Sequence, residues 1–300
     1  MRITQRAIVQ TSLQGLNNNL AAVNKLQQQL TSGTTISRPS DSPTGTNTAM
    51  LTRRDMDGVA QQARNISDGT TVLDATDSAL QDMLEQVHRV RDLAVQGLNS
   101  GTMSDASAKA IATEVSSLRE SLLGRANQVV QGRPLFGGVT SGARAYDDTG
   151  AFVGVATGPG QPGVPVERRV SDVESIRVDI TGPEAFGDPA SGKDLFAVLG
   201  SISTDISDPA ALTGHLADLD AVIQKMLTAV ADVGTRAARM DTAKQVNSGR
   251  ELTLTAQLSQ TEDIDLPKTI MELNMQQTGY QAALKATAQV IQPTLLDFLR

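Results

Sequence analysis

Apolar residues at both ends of the chain recur at alternating three- and four-residue steps. This spacing places them on one stripe of an α-helix and is typical of helices that pair along a narrow seam. We predict one amphipathic helix at each end, paired with the other, because a narrow seam gives an isolated helix little stability. The predicted seam residues are Val9, Leu13, Leu16, Leu20, Val23 and Leu30 at the N-terminal end, and Leu266, Ile270, Leu273, Tyr280, Leu284 and Ile291 at the C-terminal end.

Three internal stretches, residues 73–94, 111–129 and 212–240, show the same helical spacing. Ser104 and Asp105, just after Gly101, mark one helix start, and Asp208 followed by Pro209 marks another. The sequence therefore predicts a mainly α fold, a long antiparallel helical bundle or coiled coil with paired N- and C-terminal helices and a small β-rich insertion.

Two segments interrupt the helical pattern. Residues 31–48 are rich in Ser, Thr, Gly and Pro, which predicts an irregular segment. Residues 132–193 carry most of the prolines, with strand-like alternation at 166–170 and 175–180 and a turn signal at 158–163. The interruptions predict three regions. Residues 1–48 with 251–300 form a terminal coiled coil, 49–134 with 191–250 form a rod-like helical body, and 135–190 form a β-rich surface insertion.

Composition argues against most enzymatic and ligand-binding classes. The 300 residues include no cysteine, two histidines and seven aromatic residues, with 33 acidic against 26 basic residues. Disulfides and thiolate metal sites are therefore excluded, and a basic, aromatic nucleic-acid surface is disfavoured. No apolar run is long enough to span a membrane, and the N-terminus lacks the apolar region of a cleaved secretory signal. We predict no catalytic residue, no metal site and no cofactor.

Two polar motifs have a chemical and a structural interpretation. Residues 187–194 place Gly187, Gly192 and Lys193 at phosphate-loop spacing, but Asp194 stands where Mg²⁺ binding requires Ser or Thr. A helix start with Ser191 as its N-cap is the simpler interpretation. The run of carboxylates at 262–265 could hold a cation, although an acidic start of the last helix is favoured because the helix dipole stabilises it.

The terminal seams lack a bulky domain to cover them. We expect the two ends of the chain to become ordered when copies of the chain or a partner cover the remaining apolar surface. This is the behaviour of a subunit that polymerises, and it makes the twelve seam residues candidate assembly contacts.

Several sequence blocks resemble the flagellin superfamily, and within it the hook-associated proteins that join hook to filament. They are MRIT at 1–4, LTSG at 30–33, RPSDSP at 38–43, the stretches 64–80 and 101–115, RPLFGG at 133–138 and most of 261–299. The resemblance covers about residues 1–138 and 194–300 and leaves the insertion unmatched.

The resemblance implies an extracellular structural subunit of the bacterial flagellum, exported unfolded by the flagellar type III machinery. The expected partners are copies of the chain in a ring, the first hook-associated protein, flagellin, and a cytoplasmic export chaperone that binds about residues 260–300. No nucleic acid or membrane partner is expected. The alternatives are a flagellin-type filament subunit, a secreted helical adhesin or phage-tail component that binds through 135–190, and a nucleotide-binding enzyme built on Gly192 and Lys193.

Overall fold

The computed structural model describes residues 4–99, 104–140, 142–157 and 161–291. In these ranges the chain forms long helices and two short β-hairpins, which confirms the mainly α fold. The helices are α1 (Thr4–Ser32), α2 (Pro43–Asn99), α3 (Asp105–Ala126), α4 (Gly182–Phe186), α5 (Leu195–Thr204), α6 (Pro209–Glu262) and α7 (Leu266–Ile291). The strands are β1 (Val129–Val130), β2 (Arg133–Pro134), β3 (Glu167–Arg169) and β4 (Ser175–Arg177). Gly101 and residues 158–160 of the predicted turn lie outside the described residues.

Both predicted helix starts are confirmed. The Ser104 side chain accepts a hydrogen bond from the Ser107 amide at the start of α3. Asp208 accepts from the Ala210 amide at 2.9 Å, and Pro209 is the first residue of α6. Each side chain satisfies an amide that has no partner within its helix.

The prediction that residues 31–48 are irregular is wrong at both edges. Helix α1 continues to Ser32, and α2 already begins at Pro43. Proline fits the first helical turn because its missing N–H would have no intrahelical partner there. Ser42 caps this start, since its hydroxyl accepts from the Gly45 amide at 3.2 Å.

The helical stretch predicted to reach residue 129 ends earlier, at Ala126. The Asn127 side chain accepts hydrogen bonds from the amides of Ala145 and Tyr146, both at 2.8 Å, and thereby ties the helix end to the following loop. Val129 instead lies in β1, which pairs antiparallel with β2. Gln131 and Gly132 between them have φ of 53° and 79°, as a type I′ hairpin turn requires.

The chain divides into two compact units, one of residues 1–58 and 250–300 and the other of residues 59–249. The core of the second unit combines residues of α2, α3, α5 and α6 with residues of the predicted insertion. Its centre is an aromatic cluster in which neighbouring ring centroids lie 4.8 to 6.2 Å apart, formed by Phe136, Tyr146, Phe152, Phe186 and Phe196. The insertion therefore shares one core with the helices of this unit, and the three-region division stays a prediction.

The two strands predicted in the insertion are confirmed, although both are shorter than their alternating pattern. Strands β3 and β4 pair antiparallel, with Arg168 opposite Ile176. Arg177 at the end of β4 forms ion pairs with Asp179 at 3.0 Å and Glu184 at 2.7 Å. Burial alone would lower the pKa of the Arg177 guanidinium, but these hydrogen-bonded carboxylates outweigh it and raise the pKa.

The phosphate-loop-like segment forms a different structure. Residues Pro189–Ser191 make one 3-10 turn, and Asp194, not Ser191, is the N-cap of α5. The prediction for Ser191 is wrong because Asp188 caps this turn, accepting from the Ala190 amide at 3.0 Å. The Lys193 ammonium pairs with Asp218 at 2.7 Å, and the short helix α4 precedes the segment where a phosphate loop has a strand.

Candidate assembly surface

The first unit contains the two terminal helices, which pack against each other. Asn19 of α1 accepts a hydrogen bond from the side-chain amide of Gln276 in α7 at 3.0 Å. Thr34, just after α1, forms a β-bridge with Asp263, just before α7. A position later in α1 therefore contacts a position earlier in α7. The two helices run antiparallel within one chain.

Backbone hydrogen bonds join the turn after α1 to the turn between α6 and α7. The Thr35 amide donates to the Glu262 carbonyl at 2.6 Å, and the Ile264 amide donates to the Gly33 carbonyl at 3.2 Å. Gly33 has a φ of +73°, which glycine adopts without strain. This bridge fixes where the two terminal helices begin to pair.

The three carboxylates of residues 262–265 have separate structural roles. Asp265 caps α7, since its side chain accepts from the Lys268 amide at 3.1 Å, which confirms the predicted acidic helix start for this residue. Glu262 ends α6 and pairs with Arg53 at 2.6 Å, while Asp263 accepts from the Ser259 hydroxyl. In the described ranges no group of three or more Asp, Glu, His or Cys residues could hold a metal ion.

Asp41 holds the loop between α1 and α2 to the end of α1. Lys25 pairs with its carboxylate at 3.2 Å, and the Arg38 amide donates to it at 3.0 Å. The Ser37 amide and hydroxyl donate as well. The Lys25 ammonium and these donors hold the pKa of Asp41 below its ordinary value, because each favours the ionised form.

The structure divides the predicted seam residues into two groups. Val9, Leu16, Val23, Leu30, Leu273 and Tyr280 are half-buried or buried. The others are 41–53% exposed and are Leu13, Leu20, Leu266, Ile270 and Leu284. The side chain of Ile291 lies outside the part that the structure describes. Half of the predicted stripe is therefore covered within the chain, and the other half faces outward.

Sequence reasoning missed part of the covered face. On α1 it includes the half-buried residues Ser12, Asn19 and Leu26, and on α7 it includes Gln276 and Ala283. Positions 12, 16, 19, 23, 26 and 30 also follow alternating four- and three-residue steps. Only the polar residues at 12 and 19 made this stripe less evident than the one through Leu13 and Leu20.

The first unit has almost no interior of its own. Among its described residues, Val23 and Ala49 are the only buried hydrophobic ones. It nevertheless exposes ten large apolar side chains, namely Leu13, Leu20, Met50, Leu51, Leu252, Leu266, Ile270, Met271, Met275 and Leu284. This number of exposed apolar side chains makes the first unit a candidate interaction surface.

The terminal helices are also poor in charge. Helices α1 and α7 have 29 and 26 residues, and their charged residues are Arg6, Lys25, Lys268, Glu272 and Lys285. Sparse charge makes such a surface easier to cover, because a charge that is buried without a partner costs free energy. None of the helices in the described ranges is long and apolar enough to cross a membrane.

Comparison with known proteins assigns the N-terminal and C-terminal parts of the chain to one family. Residues 3–140 match the bacterial flagellin N-terminal helical region, and residues 216–299 match the bacterial flagellin C-terminal helical region. Flagellar hook-associated protein 3 of Escherichia coli is 27% identical, over 95% of this chain and 96% of that protein. Flagellin of Bacillus subtilis is 25% identical over the full length of both chains.

Solved structures show the same fold. A flagellar hook-associated protein from Vibrio parahaemolyticus superposes with a TM-score of 0.65 at 22% identity, covering 74% of this chain and all of that one. The relatives are structural proteins of the flagellum rather than enzymes. The chain therefore belongs to the bacterial flagellin family, as a homologue of flagellar hook-associated protein 3 and a structural component of the bacterial flagellum.

Proposed function

We propose that this chain is the subunit that joins the flagellar hook to the filament. It assembles as a ring of identical copies, with the first hook-associated protein on one side and flagellin on the other. The observation that carries the proposal is the first unit, which exposes ten large apolar side chains and, in its described part, buries two small ones. Such a unit needs neighbours to cover it.

The exposed seam residues give the assembly its contacts. Leu13, Leu20, Leu266, Ile270 and Leu284 lie outside the intramolecular pairing of α1 with α7 and contact neighbouring subunits in the ring. Their half-buried counterparts, such as Leu16 and Leu273, hold the two helices of one subunit together. The half-buried seam residues thus stabilise the single subunit, and the exposed seam residues beside them join one subunit to the next.

The junction role, rather than that of a filament subunit, is supported by the better match to hook-associated protein 3. That relative is 27% identical across nearly its whole length, against 25% for the flagellin. The segment RPSDSP at 38–43 also resembles the hook-associated proteins more than flagellins. In this segment Asp41 anchors the loop to α1 through Lys25.

Export follows from the same proposal. The chain leaves the cell unfolded through the flagellar type III machinery and reaches an extracellular position at the end of the hook. A cytoplasmic chaperone binds about residues 260–300 before export and covers the apolar side chains of α7. The full-length chain should therefore copurify with this chaperone from the cytoplasm, and a chain that lacks residues 260–300 should not.

Deletion of the gene from its own bacterium tests the function. We expect bare hooks by electron microscopy, with monomeric flagellin released into the medium, because export continues but the filament has no foundation. Re-expression of the wild-type chain should restore filaments. Loss of the major filament protein itself would instead identify the chain as the flagellin, and normal filaments with full motility would contradict both roles.

A further inference from the structure

A cavity of about 330 Å³ lies in the second unit, between α2 and the two β-hairpins. Leu135 and Val178 in its wall are buried, whereas Gln131 and Arg133 at its rim are exposed. The RPLFGG segment at 133–138 contributes four of the lining residues, which the assembly surface does not use. The apolar part of the lining consists of Val72, Val130, Pro134, Leu135, Val166 and Val178. Cavities of this size with mainly apolar walls and a few polar groups are typical of small-molecule sites.

The guanidinium of Arg133 differs from the others of this unit. Among the described residues of the second unit, every other arginine donates to a carboxylate, an amide oxygen or a backbone carbonyl, but no group accepts a hydrogen bond from Arg133. Acidic residues outnumber basic ones in this unit, so carboxylates are not scarce. A planar guanidinium left without an acceptor at the rim of a cavity favours an anion there, because it can donate two parallel hydrogen bonds to a carboxylate.

The other charges around the cavity are compensated within the chain. Arg168 donates to Asp68 at 2.5 Å. Asp179, which also lines the cavity, accepts from the Val166 amide at 2.8 Å and pairs with Arg177 at 3.0 Å. The cavity therefore has one uncompensated charge, which is positive and lies at its rim.

We propose that this cavity binds a monocarboxylate with an aliphatic chain. The carboxylate accepts hydrogen bonds from the guanidinium of Arg133, and the side-chain amide of Gln131 is placed to donate another. The aliphatic chain lies against the valines and is thereby removed from water. Since a water takes up about 30 Å³ in the liquid, the cavity holds about ten non-hydrogen atoms. The inference does not depend on the proposed function, because all the lining residues belong to one unit of a single chain.

Other ligand classes fit the lining less well. A cation would meet the uncompensated positive charge of Arg133 and be repelled. A phosphate monoester carries close to two negative charges at neutral pH, against one uncompensated cation in the cavity. An uncharged apolar molecule would contact the valines but leave the guanidinium unused. A single negative charge on an aliphatic body matches both parts of the lining.

The first part of the test locates the ligand in the full-length protein. Valine methyl groups are isotopically labelled, and octanoate, whose size suits the cavity, is titrated while methyl NMR spectra are recorded. We expect saturable shifts of the cavity valines Val72, Val130 and Val166. Val164 and Val173, which are 76% and 97% exposed and lie outside the cavity lining, should not shift and so control for unspecific association.

The second part tests the role of the charge. Octan-1-ol has the same chain without the carboxylate and should bind the wild type about tenfold or more weakly than octanoate, because it loses the hydrogen bonds between charged groups. Arg133→Gln should weaken octanoate binding by a similar factor and leave octan-1-ol binding unchanged. Arg144→Gln is the matched control, since Arg144 pairs with Asp148 at 2.8 Å outside the cavity, and it should bind octanoate like the wild type.

Three results would overturn the proposal. The first is the absence of saturable shifts at the cavity valines, or equal shifts at Val164 and Val173. The second is equal affinity of the wild type and Arg133→Gln for octanoate. The third is a shift of the same cavity valines when the protein alone is concentrated, which would identify a carboxylate of a second copy as the occupant instead of a free ligand.

Discussion

The exposed leucines of α1 give a direct test of which side chains join subunits. Leu13 and Leu20 are seven residues apart, two helical turns along one face, and are 50% and 41% exposed. Together they leave nearly the surface of one whole leucine uncovered. Full burial of a leucine side chain contributes about 1.5–3 kcal/mol, so covering the pair in an assembly contributes about 2 kcal/mol per subunit.

The double variant Leu13→Ser/Leu20→Ser removes this contribution and adds two hydroxyls to the contact. If the hydroxyls find no partner, each costs about 1 kcal/mol or more, which brings the loss to about 2–4 kcal/mol. Because about 1.4 kcal/mol corresponds to tenfold in affinity, we expect the concentration for half-saturation of isolated hooks to rise roughly 30- to 700-fold. Quantitative immunoblotting of the sedimented hooks measures how much of the chain has bound at each concentration.

Two controls separate assembly from folding. Circular dichroism should show the helices retained, and urea unfolding should lose no more than about 2 kcal/mol, because about half of each side chain is already covered within the chain. Val164→Ser changes a valine that is 76% exposed in the insertion and should leave half-saturation unchanged. Unaltered binding by the α1 variant, with its fold intact, would refute the assignment of this face to subunit contacts.

Three further predictions address other parts of the molecule. Leu16→Asp places a charge in the half-buried pairing of α1 with α7, so it should abolish incorporation into hooks. Limited proteolysis should then cut both helices, while residues 59–249 stay resistant. Leu284→Asp should also abolish incorporation but leave α1 and α7 resistant to the protease. Phe186→Ala opens a cavity in the aromatic cluster and should lower the free energy of unfolding of the second unit by about 3–5 kcal/mol, measured by urea denaturation. The lowered pKa of Asp41 means that its ionised form stabilises the loop above the ordinary value of 3.8 and loses this effect as pH falls below it. The protection factor of the Arg38 amide against hydrogen exchange, taken relative to its intrinsic rate at each pH, should therefore fall below pH 3.8 in the wild type but be low at every pH in Asp41→Ala.

The helical architecture could be predicted from the sequence because its signals are local. The three- and four-residue spacing and the caps at Ser104 and Asp208 each act within one or two turns of a helix. The same locality explains the error at Pro43. A segment rich in turn residues still starts a helix when Ser42 supplies the cap and proline occupies the first turn.

The division of the terminal stripe could not be predicted in this way. The sequence pattern favours Leu13 and Leu20 as seam residues over Ser12 and Asn19, because that stripe contains more apolar residues. The observed pairing instead uses the stripe that lets Gln276 donate a hydrogen bond to Asn19. Which face a helix turns inward depends on its partner, 257 residues away in the chain. The end of α3 at Ala126 likewise depends on the contacts of Asn127 with the loop at 145–146.

The position of the chain in the assembled flagellum tests the junction role most directly. A short epitope inserted next to Val164, 76% exposed in the insertion, can be labelled with gold on intact flagella of a motile strain and imaged by electron microscopy. The proposed function predicts one compact cluster of label on each flagellum, at the boundary between hook and filament. Label distributed along the whole filament, or absent from the boundary, would contradict it.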